Sequence, residues 1–485
     1  MSLKLICICI LCLTLTINAA PSKKQVADTL QECLNPVKGN KVFPNDAVYS
    51  QDIIDENTRI TFKPAVIVYA TSVEDVQTSV KCATTLKIGI TARSGGHSYE
   101  KYGTGGRDGV LVVDLANLNN ITINNSKKTA VIGAGNKLGP IYYTLSQSGF
   151  LIPAGSCPSV GVGGHSMGGG YGLYGRKFGL ASDHISSVNM VNANGDLITA
   201  STDENPDLFF ALRGAGGGSY GIVTDITFNL SPVPPTVTSF TLTYDPSKLQ
   251  LTFDAMNQVG TSLPAEMTIS LSISPNNVQI VGVHLGSSES AQSALKKFIK
   301  VSSPTDTQFN EETFFASVVR MGFQGFQGTI NPTHHPNSFK AKSFFVKSPG
   351  LSSAGVQSIN NFLNTIECST FAEFDLFGGG AANSIAPDET AFVHRDTLYL
   401  IQLYTTLTGD ESTDKICLDK LTSFGITFQK RFTSYFSYQN YIDRDLQDWQ
   451  HRYYGSNFER LTKVKQKYDP KNLFNFPQSI PTSAN

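Results

Sequence analysis

Charge is scarce in this sequence and nearly cancels. Asp, Glu, Lys and Arg make up 16 % of 485 residues, the formal net charge is −1, and no stretch gathers Lys and Arg into a long block. A protein that follows a phosphate backbone or a lipid surface carries such blocks, so nucleic acid is not an expected partner. Beyond the first twenty residues there is no long apolar run, so no membrane span is expected in the mature chain. Internal repeats and low-complexity tracts are also missing. A single hydrophobic core rarely grows past about 250–300 residues, so a chain of this length is expected to form two domains or one elaborated domain.

The one apolar run is N-terminal, in "MSLKLICICILCLTLTINAAPSKK". A lysine precedes about a dozen apolar residues, and the small residues Ala19 and Ala20 follow. That is shorter than a span and ends as a secretion signal does, so residues 1–20 are expected to be a cleaved signal peptide. Cys7, Cys9 and Cys12 leave with it, and Cys33, Cys82, Cys157, Cys368 and Cys417 remain. In an oxidising compartment an odd number leaves one thiol for another use. Sequence neighbours suggest Cys33 with Cys82 and Cys368 with Cys417, although spacing does not determine connectivity. The acceptor triplets at Asn120, Asn124 and Asn229 suit an exported glycoprotein.

Periodicity organises the rest. "PAVIVYA", a helical stretch from Ser72 to Lys87, and "IGITA" read as strand, helix and strand. "GVLVVDL" is a further strand, and hairpins are expected around Asn124–Lys128 and at Asn194-Gly195. The Ser/Pro-rich "NLSPVPPTVTSF" excludes a central strand and marks a domain boundary. Beyond it, "SFTLTY", "EMTISLSI", "VQIVGVHLG", "AKSFFVK" and "LYLIQLY" read as strands, with helices near 291–301, 355–364 and 413–424.

Three glycine-rich runs stand out. "GGGSYG" is followed by a strand pattern rather than a helix N-terminus, and "GAGNKLG", though a plausible helix follows it, lacks the correct spacing and a strand ending in an acid about 20 residues on, so neither supports a Rossmann fold. "AGSCPSVGVGGHSMGGGYGLYGRKFGL" holds ten glycines together with Cys157 and His165. Such density costs conformational entropy that a connector does not require, so a large anionic or flat ligand is expected against it.

"RSGGHSY", "GSCPSVGVGGHSMGGGYG" and "YYGSNFERLTKVKQKYDPKNLFNFPQSI" together resemble the berberine-bridge-enzyme-like oxidases of the vanillyl-alcohol-oxidase superfamily. In character the chain is closest to the glucooligosaccharide oxidase branch. The resemblance implies an α+β fold of two domains: a PCMH-type FAD-binding domain (21–232) and an α+β substrate domain (233–430) whose antiparallel sheet roofs the flavin. A C-terminal berberine-bridge-like segment (431–485) returns to the first domain.

The resemblance also implies FAD held by two covalent bonds, through His97 to the 8α-methyl and through Cys157 to C6. His165 matches a donor near the flavin N1 and C2 carbonyl, and Val160 falls at an oxygen-gate position. Arg93, Ser94, Gly95, Gly96, Ser98, Gly161, Gly164, Gly221, Ile222, Val223 and Asn457 are placed along the cofactor. Tyr441 matches a catalytic tyrosine, with Tyr438 as fallback. A free tyrosine is too weak a base at neutral pH, and Asp375 resembles the carboxylate that takes its proton. Tyr99, Tyr171 and Gln402 are expected to line the substrate pocket; an amide at 402 cannot act as a base, which argues against alkaloid chemistry.

The expected activity is a secreted oxidase that removes hydride from a hydroxyl-bearing carbon of a sugar or oligosaccharide, with oxygen as acceptor and hydrogen peroxide as product. An oxidase of aromatic or allylic alcohols or of a secondary metabolite is the alternative. A lapsed flavin- or carbohydrate-binding protein is the non-catalytic one. The adjacent His334 and His335 have no evident third ligand, so they read as an exposed loop and no metal is assigned.

Overall fold

A computed structural model describes residues 23–322 and 324–484. The expected signal peptide and its three cysteines lie outside them. Three main sheets organise the chain. In the first, Val66–Tyr69 and Ile90–Arg93 both run parallel to Leu111–Asp114, with Lys41–Val42 on the edge. The crossover helix Val73–Leu86 begins where the Ser72 hydroxyl accepts from the Asp75 N–H and ends at Lys87 in the left-handed region. Its Val76, Val80 and Ala83 are buried at the spacing anticipated.

The second sheet has five antiparallel strands, ordered Ile121–Asn124, Thr129–Gly133, Ile222–Asn229, Ile185–Val191 and Leu197–Ser201. Its last hairpin turns at Gly195, whose φ of 81° is the conformation that favours glycine.

The third sheet is drawn entirely from residues 237–406. Seven antiparallel strands lie in the order Asp306–Glu312, Val237–Tyr244, Asn277–His284, Met267–Ser274, Thr370–Leu376, Tyr399–Thr406 and Phe339–Val346. Helices Leu249–Gln258, Ser288–Ser302, Ser353–Leu363 and Glu411–Phe432 seal one face, enclosing Phe253, Phe298, Phe374 and Phe428. Period-two alternation sends Ala372, Phe374 and Leu376 into that core, which turns Phe371, Glu373 and Asp375 to the opposite face.

The C-terminal helices Trp449–Tyr454 and Phe458–Tyr468 pack back on the core of the first two sheets, burying Tyr453, Tyr454, Leu461 and Val464. Lys465 is fully buried there and donates to Asp469 at 2.7 Å and to the carbonyls of Ser219 and Phe474 at 2.6 and 2.7 Å. Among the described residues no helix is long and apolar enough to cross a membrane.

Cys33–Cys82 and Cys368–Cys417 are disulfides, and Cys157 is the free thiol. Each bridge closes a loop of 49 residues. In the chain-entropy account that restriction stabilises the fold by about 4 kcal/mol. Replacing Cys368 and Cys417 together by serine is therefore expected to lower the melting temperature clearly, as read by differential scanning calorimetry.

Candidate active site

The loop after strand Ile90–Arg93 carries His97, and the glycine-rich loop carries Cys157. They are brought face to face by backbone contact: a Cβ on Gly95 would sit 2.2 Å from the Gly161 nitrogen, and one on Gly161 equally close to Gly95. Only glycine permits this crossing. Ser94 donates to the Ala134 carbonyl at 2.5 Å, and His97 Nε2 lies 2.9 Å from Ser159 Oγ. His97 Nδ1 makes no hydrogen bond among the described residues. Burial, opposed by Glu56 and reinforced by His334 and Lys137, lowers the His97 pKa to about 4, so the ring is neutral at pH 7 with a lone pair available.

The Cys157 sulfur is solvent-accessible but ringed by protein. Burial, then the charges of Glu373 and Glu56, push its pKa up to about 11, so it is a thiol at neutral pH. His165, on the short helix Val162–Met167, accepts the Gly155 N–H at Nε2 at 2.9 Å. Burial, then His97, lowers its pKa to about 4. A neutral ring accepting at Nε2 holds its proton on Nδ1, which has no hydrogen-bond partner among the described residues. Gly164 has no atom within 4 Å of a Cβ position and is exposed. A free imidazole nitrogen, an accessible thiol, an unspent imidazole N–H and loops without side chains fit a flat, electron-accepting ring system.

The roof is the face of the third sheet turned away from its helices. Glu373 pairs in register with Gln402, and Asp375 with Ser270. Ser270 Oγ donates to Glu373 at 3.1 Å. Burial raises both carboxyls, and the charge of Glu373 raises Asp375 further. Gln402 Nε2 donates to the Tyr99 hydroxyl at 2.6 Å, and the Tyr99 ring stacks on Tyr441 at 5.5 Å and 2°. The Tyr441 hydroxyl has no hydrogen-bond partner among the described residues, which leaves it open to a substrate. Burial raises its pKa well above the ordinary value, followed by Tyr99, Asp375 and Glu373.

A buried ion network fixes this junction. Lys340 on the roof reaches Glu100 at 2.6 Å and Asp443 at 2.5 Å, linking the residue after Tyr99 to the one two beyond Tyr441. Lys342 also binds Asp443 at 2.8 Å.

Several sequence expectations are corrected. Arg93 is buried in ion pairs with Asp114 at 2.5 Å and Asp55 at 3.3 Å, so it braces the His97 loop from below and has no donor directed at a cofactor. Ser98 accepts the Tyr102 N–H. Asn457 donates to the carbonyls of Pro387 and Thr390, which makes it a clamp on that loop rather than a flavin contact. Tyr171 is buried, with its hydroxyl on the Leu376 carbonyl at 2.6 Å and its ring on Phe377 at 3.8 Å, so it joins the two halves instead of lining a pocket.

Tyr438 accepts from the Gly170 and Tyr171 N–H groups and from Asn440, so its oxygen is already engaged. Gly221, Ile222 and Val223 begin a central strand against Val191 and Met190, and Val160 packs against the first core. His334 is not a detached loop residue: its Nδ1 lies 3.1 Å from Glu56 Oε2, which is 3.7 Å from His97 Nε2. Glu373 and Glu56 are the residues that sequence reasoning missed. The alternation "TFAEFDL" held the signal for Glu373; Glu56 had none.

Known proteins resemble this chain in sequence and in fold. Residues 64–201 match the family model described as an FAD binding domain, and residues 437–481 match "Berberine and berberine like". A chitooligosaccharide oxidase of Gibberella zeae is 32 % identical, with 96 % of each chain covered. The solved structure of Physcomitrella patens BBE-like 1 has a TM-score of 0.90 at 38 % identity, covering 94 % of this chain and all of that one. A glucooligosaccharide oxidase from Acremonium strictum, whose FAD is described as 6-S-cysteinyl and 8α-N1-histidyl, has a TM-score of 0.86 at 26 % identity, covering 94 % and 100 %. Identity at this level along almost the whole chain, with both family segments in place, shows that this protein belongs to the berberine-bridge-like FAD-linked oxidoreductases.

Proposed function

We propose that this chain is an exported oxidase that removes hydride from the anomeric carbon of a sugar or oligosaccharide, using FAD tethered to His97 and Cys157, with dioxygen as final acceptor and hydrogen peroxide as product. The observation that carries the reading is the open Tyr441 hydroxyl, set beside Tyr99, Gln402 and a carboxyl pair above the groove between His97 and Cys157. FAD, when bound, supplies the hydride acceptor. The chain supplies the proton path and the orientation.

Tyr441 accepts the substrate's hydroxyl proton as its own passes, through a bridging water or substrate hydroxyl, toward the neighbouring Glu373–Asp375 pair. Gln402, Tyr99 and Glu373 offer donors and acceptors to neighbouring hydroxyls, as a polar, many-hydroxyl substrate requires. His165 Nδ1–H supplies a donor where negative charge develops. Val160, at the position read as an oxygen gate, leaves room for a small acceptor. The names of the chitooligosaccharide and glucooligosaccharide oxidases support the substrate class. Two disulfides support an oxidising compartment. On this reading residues 21–232 hold the cofactor, 233–430 select the substrate and 431–485 close the site.

The test starts with protein from an oxidising host, denatured and precipitated. Yellow colour and the mass of one FAD are expected to stay with the chain. A peroxide-coupled screen is then expected to respond to oligosaccharides and not to aromatic alcohols. Flavin released entirely into the supernatant would remove both tethers, and turnover of aromatic alcohols alone would replace the substrate class.

A further inference from the structure

Tether formation at a histidine raises a question that the two loops leave open: what takes the proton that His97 loses? Three side chains from three distant segments meet there. Glu56 Oε2 accepts from His334 Nδ1 at 3.1 Å and from the His335 N–H at 3.2 Å, and it stands 3.7 Å from His97 Nε2. The arrangement is built rather than incidental. The Glu56 N–H donates to the Gly96 carbonyl at 3.1 Å, and the Glu56 carbonyl accepts the Asn337 N–H at 2.9 Å. The carboxylate is thus pinned to the His97 loop on one side and to the His334 loop on the other. The ligand atoms of Glu56, His97 and His334 all lie within 4.8 Å of one another, the only such cluster among the described residues.

We propose that Glu56 is the base, and His334 its positioning partner, by which the chain attaches FAD to its own His97. The proposal rests on the tether reading given above. With Ser159 and Glu56 both facing Nε2, that nitrogen keeps the hydrogen and Nδ1 is left as the nucleophile. In the reaction one C–H bond of the flavin 8α-methyl and the N–H bond of His97 break, and one C–N bond forms at Nδ1. The His97 proton leaves Nε2 for Glu56 Oε2. The two electrons and two protons removed overall end on dioxygen as hydrogen peroxide, so the attached flavin finishes oxidised. Burial alone would raise the Glu56 carboxyl, but the hydrogen bonds from the His334 side chain and the His335 N–H lower it, so the base is held in its ionised form. His334, whose side chain is 30 % exposed, keeps Oε2 turned toward His97.

The experiment uses the full chain with Cys157→Ser, so that only the histidyl link is scored. Each variant is saturated with FAD in air, denatured at intervals, and the flavin retained by the chain is compared with the flavin released. The parent is expected to retain nearly one FAD per chain. Adding Glu56→Gln, which keeps the shape but cannot take a proton, is expected to slow retention by about 100-fold, with FAD still bound but released on denaturation. His334→Ala is expected to slow it less, and His334→Gln, which restores an N–H donor, to recover most of that loss.

Total flavin per chain, released plus retained, shows that the groove is intact; should Glu56→Gln fail to bind FAD, the two His334 variants on their partly exposed loop decide. Equal loading in the parent, Glu56→Gln and His334→Ala overturns the relay while leaving the tether standing. A Cys157→Ser parent that releases all its flavin overturns the tether at His97, and the relay with it.

Discussion

Tyr441→Phe is expected to lower kcat on an oligosaccharide by about 10²–10⁴-fold, the range over which general acid–base groups act, while flavin content stays unchanged. The ring keeps its stack on Tyr99, so the substitution removes a hydroxyl and little else. That hydroxyl has no hydrogen-bond partner among the described residues, so no such contact is lost with it. KM is expected to move much less than kcat, because the proton transfer belongs to the transition state. Tyr438→Phe gives the contrast. Its oxygen holds the N–H groups of Gly170, Tyr171 and Asn440, so its loss is expected to act on stability and loop order before it acts on chemistry. Stopped-flow reduction of the bound flavin under anaerobic conditions separates the two. A Tyr441→Phe variant that reduces its flavin at the parent rate would remove Tyr441 from the reaction.

The second large effect concerns the fold. Lys465→Met is expected to destabilise the protein by about 3–5 kcal/mol, the usual cost of leaving a buried partner charge uncompensated, and so to lower the melting temperature by roughly 3–5 °C for a chain of this length. Methionine fills much the same volume, so the loss is electrostatic. Asp469 has no exposure, and without Lys465 it keeps only the N–H groups of Leu473 and Phe474. The Ser219 and Phe474 carbonyls lose their donor as well. Lys465→Met/Asp469→Leu, which removes both charges, is expected to recover part of the loss in calorimetry. A single variant that melts with the parent would show that the pair is dispensable.

Much of this architecture was legible in the sequence wherever one physical signal dominated. Val76, Val80 and Ala83 marked a buried helix face, Asn194-Gly195 a hairpin, and the odd cysteine count a thiol at 157. Where function breaks the pattern, legibility failed. Strand Asp306–Glu312 is a polar edge of the third sheet, and charged edges carry no apolar alternation. Strand Thr370–Leu376 was hidden because Glu373 and Asp375 occupy the face that opens to the site.

Arg93, Asn457 and Tyr171 were misplaced for a related reason. They neighbour motif residues in sequence, yet their polar atoms serve buried ion pairs and carbonyls, and such spending is visible only in three dimensions. Glu56 was out of reach altogether, since its partner His334 lies 278 residues away.

The meeting of Tyr99 with Gln402 spans 303 residues of chain. A ribosome delivers the N-terminal part first, and domains fold broadly in the order they emerge. His97 and Cys157 therefore leave the ribosome long before the roof strands and Tyr441. The core beneath them is nevertheless closed only by Tyr453, Tyr454, Leu461 and Phe474 from the last tenth of the chain, docked through Lys465, so both halves of the candidate site are finished together at the end of synthesis. Turnover, on this account, reports that synthesis and folding are complete.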